Sequence, residues 1–343
     1  MKKKNSILLS LLTVILLIST TLIGCSNTKT DTTLKKVRLN EVTRSVFYAP
    51  MYAAISNGYF KEEGIQLDIS TGEGADKTMQ QVLSKNADIG FCGPEQTIYI
   101  YNQKRDDYPV LFAQLTQRDG SFLISRTNDK NFNWESLEGK NVLGGRPGGV
   151  PEMALEYVLR NHGLVPGKNL NVITNVAFSA APGAFKGGTG DYAALFEPSA
   201  SALVKDKSGY IVASVGASAG PIPYTCFFTT KSYMDNNKDT IQKFTNAIYK
   251  GQIWVSQHSD AEVAKAIKSY FPGTDEAVLQ NVIKNYRAIN AYAPNPIIKE
   301  ENMSRLMDII QSYNSQLLKQ RPPFSKIVNN EFSNNAVNTI KPK

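Results

Sequence analysis

The sequence is short of the residues from which most metal and nucleophilic centres are built. Among 343 residues there are two histidines, His162 and His258, three cysteines, Cys25, Cys92 and Cys226, and two tryptophans. There is no Cys-x-x-Cys, and the two histidines are far apart, so zinc-ligand spacing is absent. No metal or other cofactor is expected. No glycine-rich turn is followed by Gly-Lys-Ser/Thr, so the phosphate-cradling loop of nucleotide hydrolases is missing. The 38 Lys and Arg outnumber the 30 Asp and Glu, giving +8, but the bases are dispersed. Without a basic stripe, nucleic acid is not an expected partner. Apolar runs are scarce too, apart from residues 7–23, which are interrupted by Ser10, Thr13, Ser19, Thr20 and Thr21.

That one run sets the compartment. Lys2, Lys3 and Lys4 precede it and the small residues Gly24 and Cys25 end it, the layout of a secretory signal rather than a membrane span. Residues 1–24 are assigned to the signal and 25–36 to a polar linker. The tetrad Leu22-Ile23-Gly24-Cys25 resembles a bacterial lipobox, which implies cleavage before Cys25 and diacylation of its sulfur; an uncleaved anchor is the alternative. Either way the folded part is expected outside the cytoplasmic membrane and tethered to it. Removing the three leader lysines leaves 35 bases against 30 acids, about +5. Cys92 and Cys226 fall in strand-like, apolar surroundings and are expected as buried free thiols. A disulfide between them stays open.

What the chain has in quantity is alternation of short apolar strands with helices. The clearest unit is residues 141–160, NVLGGRPGGVPEMALEYVLR. A strand at 141–143 enters the turn 144–149, and Pro151 opens a helix, where its fixed φ fits and its missing N–H costs nothing. Gly148, Gly149 and Val150 offer no capping side chain, so the first amides lack acceptors. Pro50, Pro94 and Pro198 repeat this junction after strands at 37–42, 88–92 and 192–196. Such repetition predicts an α/β protein whose strands aim their C-terminal ends at a shared crevice. Alternating βα units predict mostly parallel sheet. The series runs once to about residue 116 and again from Ser136, with a further strand at 221–230. Helical periodicity then takes over at 240–255, 261–271, 275–288 and 300–318. The polar, Asn-rich residues 321–343 are expected to pack loosely.

Several short motifs occur in a telling order. They are Tyr48-Ala49-Pro50-Met51-Tyr52-Ala53-Ala54, then Gly58-Tyr59-Phe60-Lys61-Glu62-Glu63-Gly64-Ile65, then Ala87-Asp88-Ile89-Gly90, then Leu137-Glu138-Gly139-Lys140. With the signal and lipobox, the chain resembles the solute-binding lipoproteins of ABC importers. The subgroup it resembles binds thiamine-pyrimidine precursors, with sulfonate, taurine and nitrate binders as cousins. The resemblance implies a two-lobed type II periplasmic-binding-protein fold. Lobe 1 would comprise residues 37–117 and 222–343, lobe 2 residues 118–221, and the hinge would lie near 116–123 and 216–225. It also implies a monomer that closes on a small ligand and delivers it to a permease and its ATPase.

Candidate ligand contacts follow from the junctions. Phe47 and Tyr48 offer a stacking surface for a planar ligand or are ordinary core. Glu95 and Gln96 reach the crevice or occupy a solvated first turn. Arg118 clamps an acidic group or pairs with Asp119. Gly145, Arg146, Gly148 and Gly149 suit an anionic or oxygen-rich group, although Glu152 already answers part of the helix dipole. By the resemblance, Glu197 accepts hydrogen bonds from the exocyclic amine of an aminopyrimidine; otherwise it is a surface residue. Tyr224, on the return crossing, is a further candidate.

Two enzymatic alternatives are weaker. Gly216-Ala217-Ser218-Ala219-Gly220 matches the serine-hydrolase elbow, but Pro221 and Pro223 forbid the helix that must follow. The stretch is expected to be a small-residue hinge loop. Fungal relatives within the resemblance are pyrimidine synthases with a Cys-rich cluster and a substrate histidine. Here that histidine falls near Gln96 and the cluster shrinks to Cys226, so no catalysis is expected.

Overall fold

The computed structural model describes residues 34–342, and Leu34–Lys343 forms one compact unit. The signal, Cys25 and most of the linker lie outside the described residues. Among the described residues, ten strands form two five-stranded sheets. The first contains β1 (Lys35–Glu41), β2 (Ile65–Thr71), β3 (Ile89–Cys92), β4 (Pro109–Thr116) and β10 (Thr225–Thr230), in the order β2-β1-β3-β10-β4. The second contains β5 (Ser121–Ser125), β6 (Asn141–Leu143), β7 (Asn171–Ile173), β8 (Tyr192–Phe196) and β9 (Tyr210–Ser214), in the order β7-β6-β8-β5-β9.

Each sheet repeats one arrangement. In the first, β1 runs parallel to β2 and β3, while β10 is antiparallel to β3 and β4. In the second, β6 runs parallel to β7 and β8, while β5 is antiparallel to β8 and β9. Four strands of each sheet therefore point one way and a single strand is reversed. That strand is the one that has just arrived from the other sheet. A strand entering from the crevice side must run away from the crevice, against the βα strands that run toward it. The sheets are thus mixed, and the α/β expectation holds with one antiparallel insertion per sheet.

The crossings are residues 117–120 and 220–224. The second is preceded not by the expected loop but by a one-turn helix, Val215–Ala219, capped by Ser214. A Cβ on Gly216 would lie 1.9 Å from the Asp119 carbonyl oxygen, so the two crossings press backbone against backbone. The expected strand at 221–230 begins only at Thr225, because Pro221 and Pro223 cannot donate to a ladder.

The first sheet is buried under the C-terminal helices. Phe91, Phe112 and Phe227 form an aromatic layer that meets Phe244 of the helix Lys238–Gln257. That helix also closes on Ala49–Ser56, with Gly251 against the Pro50 carbonyl. Residues 321–343 do not pack loosely, contrary to expectation. Phe324–Ile327 and Glu331–Thr339 are helical, Val328 bridges Leu111, and the Ser333 hydroxyl donates to the Phe112 carbonyl at 2.6 Å. The tail covers β4, the strand at one end of its sheet, whose unpaired backbone groups require a partner. Cys92 and Cys226 are buried, unbonded and opposite one another on β3 and β10.

Candidate functional site

The nominated side chains follow the C-terminal ends of β1, β3, β6 and β8 or lie on the crossings themselves. After β1, the Ser45 hydroxyl accepts from the Phe47 amide and caps a 3-10 turn, Val46–Tyr48. This turn aims Phe47 inward. Its ring lies 4.5 Å from Tyr286, 5.6 Å from Tyr224, 5.8 Å from Tyr48 and 6.1 Å from Phe196. Phe47 is consequently enclosed on all these sides and belongs to the core, correcting its nomination as a stacking face. Tyr48 is also buried and stands edge-on to Phe91 at 4.6 Å.

After β3, Gly93 allows the chain to turn beneath Glu95. A Cβ on Gly93 would lie 2.1 Å from Glu95 Oε2, so the carboxylate occupies the space of a side chain. Glu95 is 2% exposed, which rules out the solvated first turn. Its Oε1 accepts from Gln96 Nε2 at 3.3 Å, and its Oε2 has no partner from another residue. Burial pushes this carboxyl up to about 7, against the weaker pull of its own amide, Gln96 and Arg146. A carboxylate kept this dry with an idle oxygen is costly unless a donor arrives.

The turn after β6 is answered from within. Glu152 Oε2 accepts from the Gly145 amide at 2.6 Å, so that amide is not free for an anion. Burial, with Glu156 nearby, pushes the Glu152 carboxyl up to about 8. Gly148 adopts φ +76°, and its carbonyl accepts from the Tyr99 hydroxyl at 3.4 Å. Gly149 precedes the helix Val150–Asn161 without a side-chain cap, as the sequence implied. Arg146 does not point at an interior anion. Its Nη1 pairs with Asp76 Oδ1 at 3.1 Å, and both side chains are more than half exposed. Asp76 lies on Ala75–Leu83, beside the first sheet, so the pair ties the two sides together at the surface. Exposed pairs contribute about 0–1 kcal/mol. Arg146→Ala should therefore lower the unfolding free energy by less than about 1 kcal/mol, and the difference from wild type should shrink in high salt.

Arg118 serves the crossing. Its Nη1 donates to the Gly216 carbonyl at 3.2 Å and not to Asp119, which corrects the expected ion pair. Asp119 instead accepts from the Ser121 amide at 2.8 Å and from the Ser121 hydroxyl. The Tyr224 hydroxyl lies against the same carboxylate, whose burial pushes it up to about 6. Tyr224 is itself buried between Phe47 and Phe196.

Glu197 follows β8 and is 3% exposed, so the surface alternative fails. Its Oε2 accepts from the Ser201 amide at 2.9 Å, and its Oε1 from the Ser201 hydroxyl at 2.7 Å and Asn285 Nδ2 at 2.5 Å. Asn281 Nδ2 adds a bond to Ser201 Oγ at 2.9 Å. Asn281 and Asn285 are one turn apart on the helix Glu276–Ala288, so the acceptor expected to meet a ligand amine meets a protein amide instead.

Two groups escaped the sequence reading. Glu41 is fully buried at the end of β1, where Tyr52 Oη, Arg44 Nε and Thr71 Oγ1 converge on its carboxylate. Its sequence signal was an acid in the alternating register of Val37 and Leu39, on the apolar face of the strand. Phe178, in the loop after β7, is 56% exposed and stands edge-on to Phe196 at 5.2 Å. A lone aromatic in a loop of small residues was the available hint. The hydrolase elbow dissolves: Ser218 Oγ accepts from the Trp134 indole at 3.2 Å, and His258 stacks on Trp254.

Two mixed sheets joined by two crossings, with buried polar groups at the facing strand ends, define the periplasmic-binding-protein fold. The aliphatic sulphonate binding protein SsuA of Escherichia coli superposes with TM-score 0.69, at 15% identity, over 85% of this chain and 97% of SsuA. The nitrate-binding protein NrtA of Synechocystis PCC 6803 gives 0.69 at 14% identity, over 90% of this chain and 89% of NrtA. YtlA of Bacillus subtilis (strain 168), whose name describes it as a binding protein, is 44% identical over 305 residues, 89% of this chain and 91% of YtlA. The family model described as NMT1/THI5 like matches residues 46–262, more than half of the chain. The chain belongs to the NMT1/THI5-like family.

Proposed function

We propose that this protein is the extracytoplasmic receptor of an ABC importer, anchored through lipid on Cys25, which captures a small amine-bearing heterocycle of the thiamine-pyrimidine kind and hands it unaltered to a permease. Residues 37–117 with 222–343 act as one lobe and 118–221 as the other, turning about the two crossings. The single observation that carries the ligand class is Glu95, a buried carboxylate with an idle Oε2 at the end of β3. An exocyclic amine supplies the missing donor, and a charge-assisted bond of this kind is worth more than a neutral one. Tyr48, Gln96 and Tyr224 border the same place and complete the contact set.

The groups that would favour an anion have other work. Arg118 holds the crossing, Arg146 holds Asp76, and the Gly145 amide holds Glu152. A sulfonate or nitrate would meet the buried carboxyls of Glu95 and Glu152, and neither Arg118 nor Arg146 is turned toward them. Glu197 contributes by fastening the second sheet's surroundings to Glu276–Ala288 rather than by touching the ligand.

A thermal-shift panel tests this reading. At a hundredfold excess over Kd a ligand adds about 2.7 kcal/mol, a rise of about 5 °C for a protein of this size. An aminopyrimidine should give it and leave unchanged by mass. Taurine, nitrate and alkanesulfonates should give none; a rise with these alone would replace the proposed ligand class.

A further inference from the structure

We propose that a second site, separate from the crevice, recognises a phosphate group, in a pocket of about 640 Å³ at the opposite end of the helix Glu95–Tyr101. One wall is the segment that ends this helix and leads to β4; the other is the segment after the helix Glu300–Tyr313. Asn102 Nδ2 donates to the Gln320 carbonyl at 3.1 Å and ties them together. Tyr101 and Tyr108 meet edge-on at 5.1 Å and give the pocket a fixed aromatic side. Its volume is within the range of small-ligand sites.

The charge of the pocket gives the ligand class. Lys104, Arg105, Lys319 and Arg321 line it, and no Asp or Glu does. Arg321 is held by Asp308 and by Gln311, so it builds the wall. Lys104, Arg105 and Lys319 are exposed and have no ion-pair partner among the described residues. Of the nearby acids, Asp107 is taken by the amide and hydroxyl of Ser232, at 2.9 and 2.6 Å, and Asp106 does not line the pocket. Three exposed cations border this concavity with no acid among its lining residues, a balance that favours an anionic guest. A phosphate, with up to two charges and several acceptor oxygens, can engage a guanidinium fork and two ammonium groups together. A carboxylate offers only one charge and two oxygens. The aromatic side suits a planar group attached to the phosphate, and a membrane headgroup would present the same chemistry to an anchored protein.

The test uses the compact unit Leu34–Lys343, which lacks the apolar leader. Inorganic phosphate is titrated calorimetrically at low salt, and co-flotation is measured with vesicles of phosphatidylglycerol and of phosphatidylcholine. The doubly substituted Arg105→Glu, Lys319→Glu protein should lose at least about tenfold in whichever binding is seen, because two attractions become repulsions. Arg146→Ala, which touches only the crevice side, should lose none. Binding of free phosphate assigns the site to a soluble phosphorylated compound, whereas flotation with phosphatidylglycerol alone assigns it to the lipid headgroup. No binding in either arm, or binding indifferent to the double substitution in a protein that melts as wild type does, overturns the proposal. Neither result bears on the crevice ligand, since the two sites share no residue.

Discussion

Glu95→Gln is expected to weaken capture of an aminopyrimidine by about 10- to 100-fold, the range for losing a hydrogen bond to a charged group, while making the ligand-free protein less sensitive to pH. Glutamine keeps the shape but loses the charge, and its amide offers a donor where the ligand also brings one. The pH effect has a definite sign. The Glu95 carboxyl sits at about 7 in the folded protein, above its ordinary 4.5. Between those values the folded chain holds a proton that the unfolded chain has released, so stability falls as pH rises through this window. It is fully present below about 4.5 and levels off above about 7. Glu152, at about 8, and Asp119, at about 6, tilt the curve the same way. Melting temperatures of the ligand-free wild type should thus decline from pH 5 to pH 8, and Glu95→Gln should decline less. Affinity for the amine should rise over the same range, because the ionised carboxylate is the better acceptor. Equal affinity in variant and wild type would remove Glu95 from the site.

The second large effect concerns the crossings. Gly216→Ala places a methyl 1.9 Å from the Asp119 carbonyl oxygen, with the backbone nitrogen of Asp119 at 2.9 Å. No rotamer can relieve a clash with backbone, so the two crossings must separate. Overpacking of this kind costs about 1–3 kcal/mol, a fall in melting temperature of about 2–5 °C. Gly183→Ala is the matched control. Gly183 is also helical, nothing lies within 4 Å of its added Cβ, and alanine is the better helix former, so that variant should melt at or above the wild-type temperature. If both substitutions behave alike, the tight contact between the crossings has no energetic weight.

These two positions differ in how legible they were. Gly216 could be read as one of several small residues before two prolines, and the sequence suggested a pliable loop. Its real constraint is the backbone of Asp119, 97 residues away in the chain, which no local pattern encodes. Glu95 was nominated because it follows a strand–Gly–Pro junction. Whether it faced solvent or a dry interior depended on Tyr48 and Tyr224, which come near it from two other segments of the chain.

The sequence by itself determined the strand–helix alternation, the proline-opened helices at Pro50 and Pro151, and the long C-terminal helices, because each depends on neighbours within a few residues: an apolar period, a fixed φ, a missing N–H. It also brought forward most of the side chains that now surround the crossings. Only the tertiary structure decided what those side chains do. The reversal of β5 and β10, the retirement of Arg118 and Arg146 to structural contacts, and the capture of Glu197 by Asn285 all depend on partners many tens of residues distant. Pairing at that range is chosen by how whole elements pack, since a polar group entering the interior must take whichever complementary group the packing brings to it.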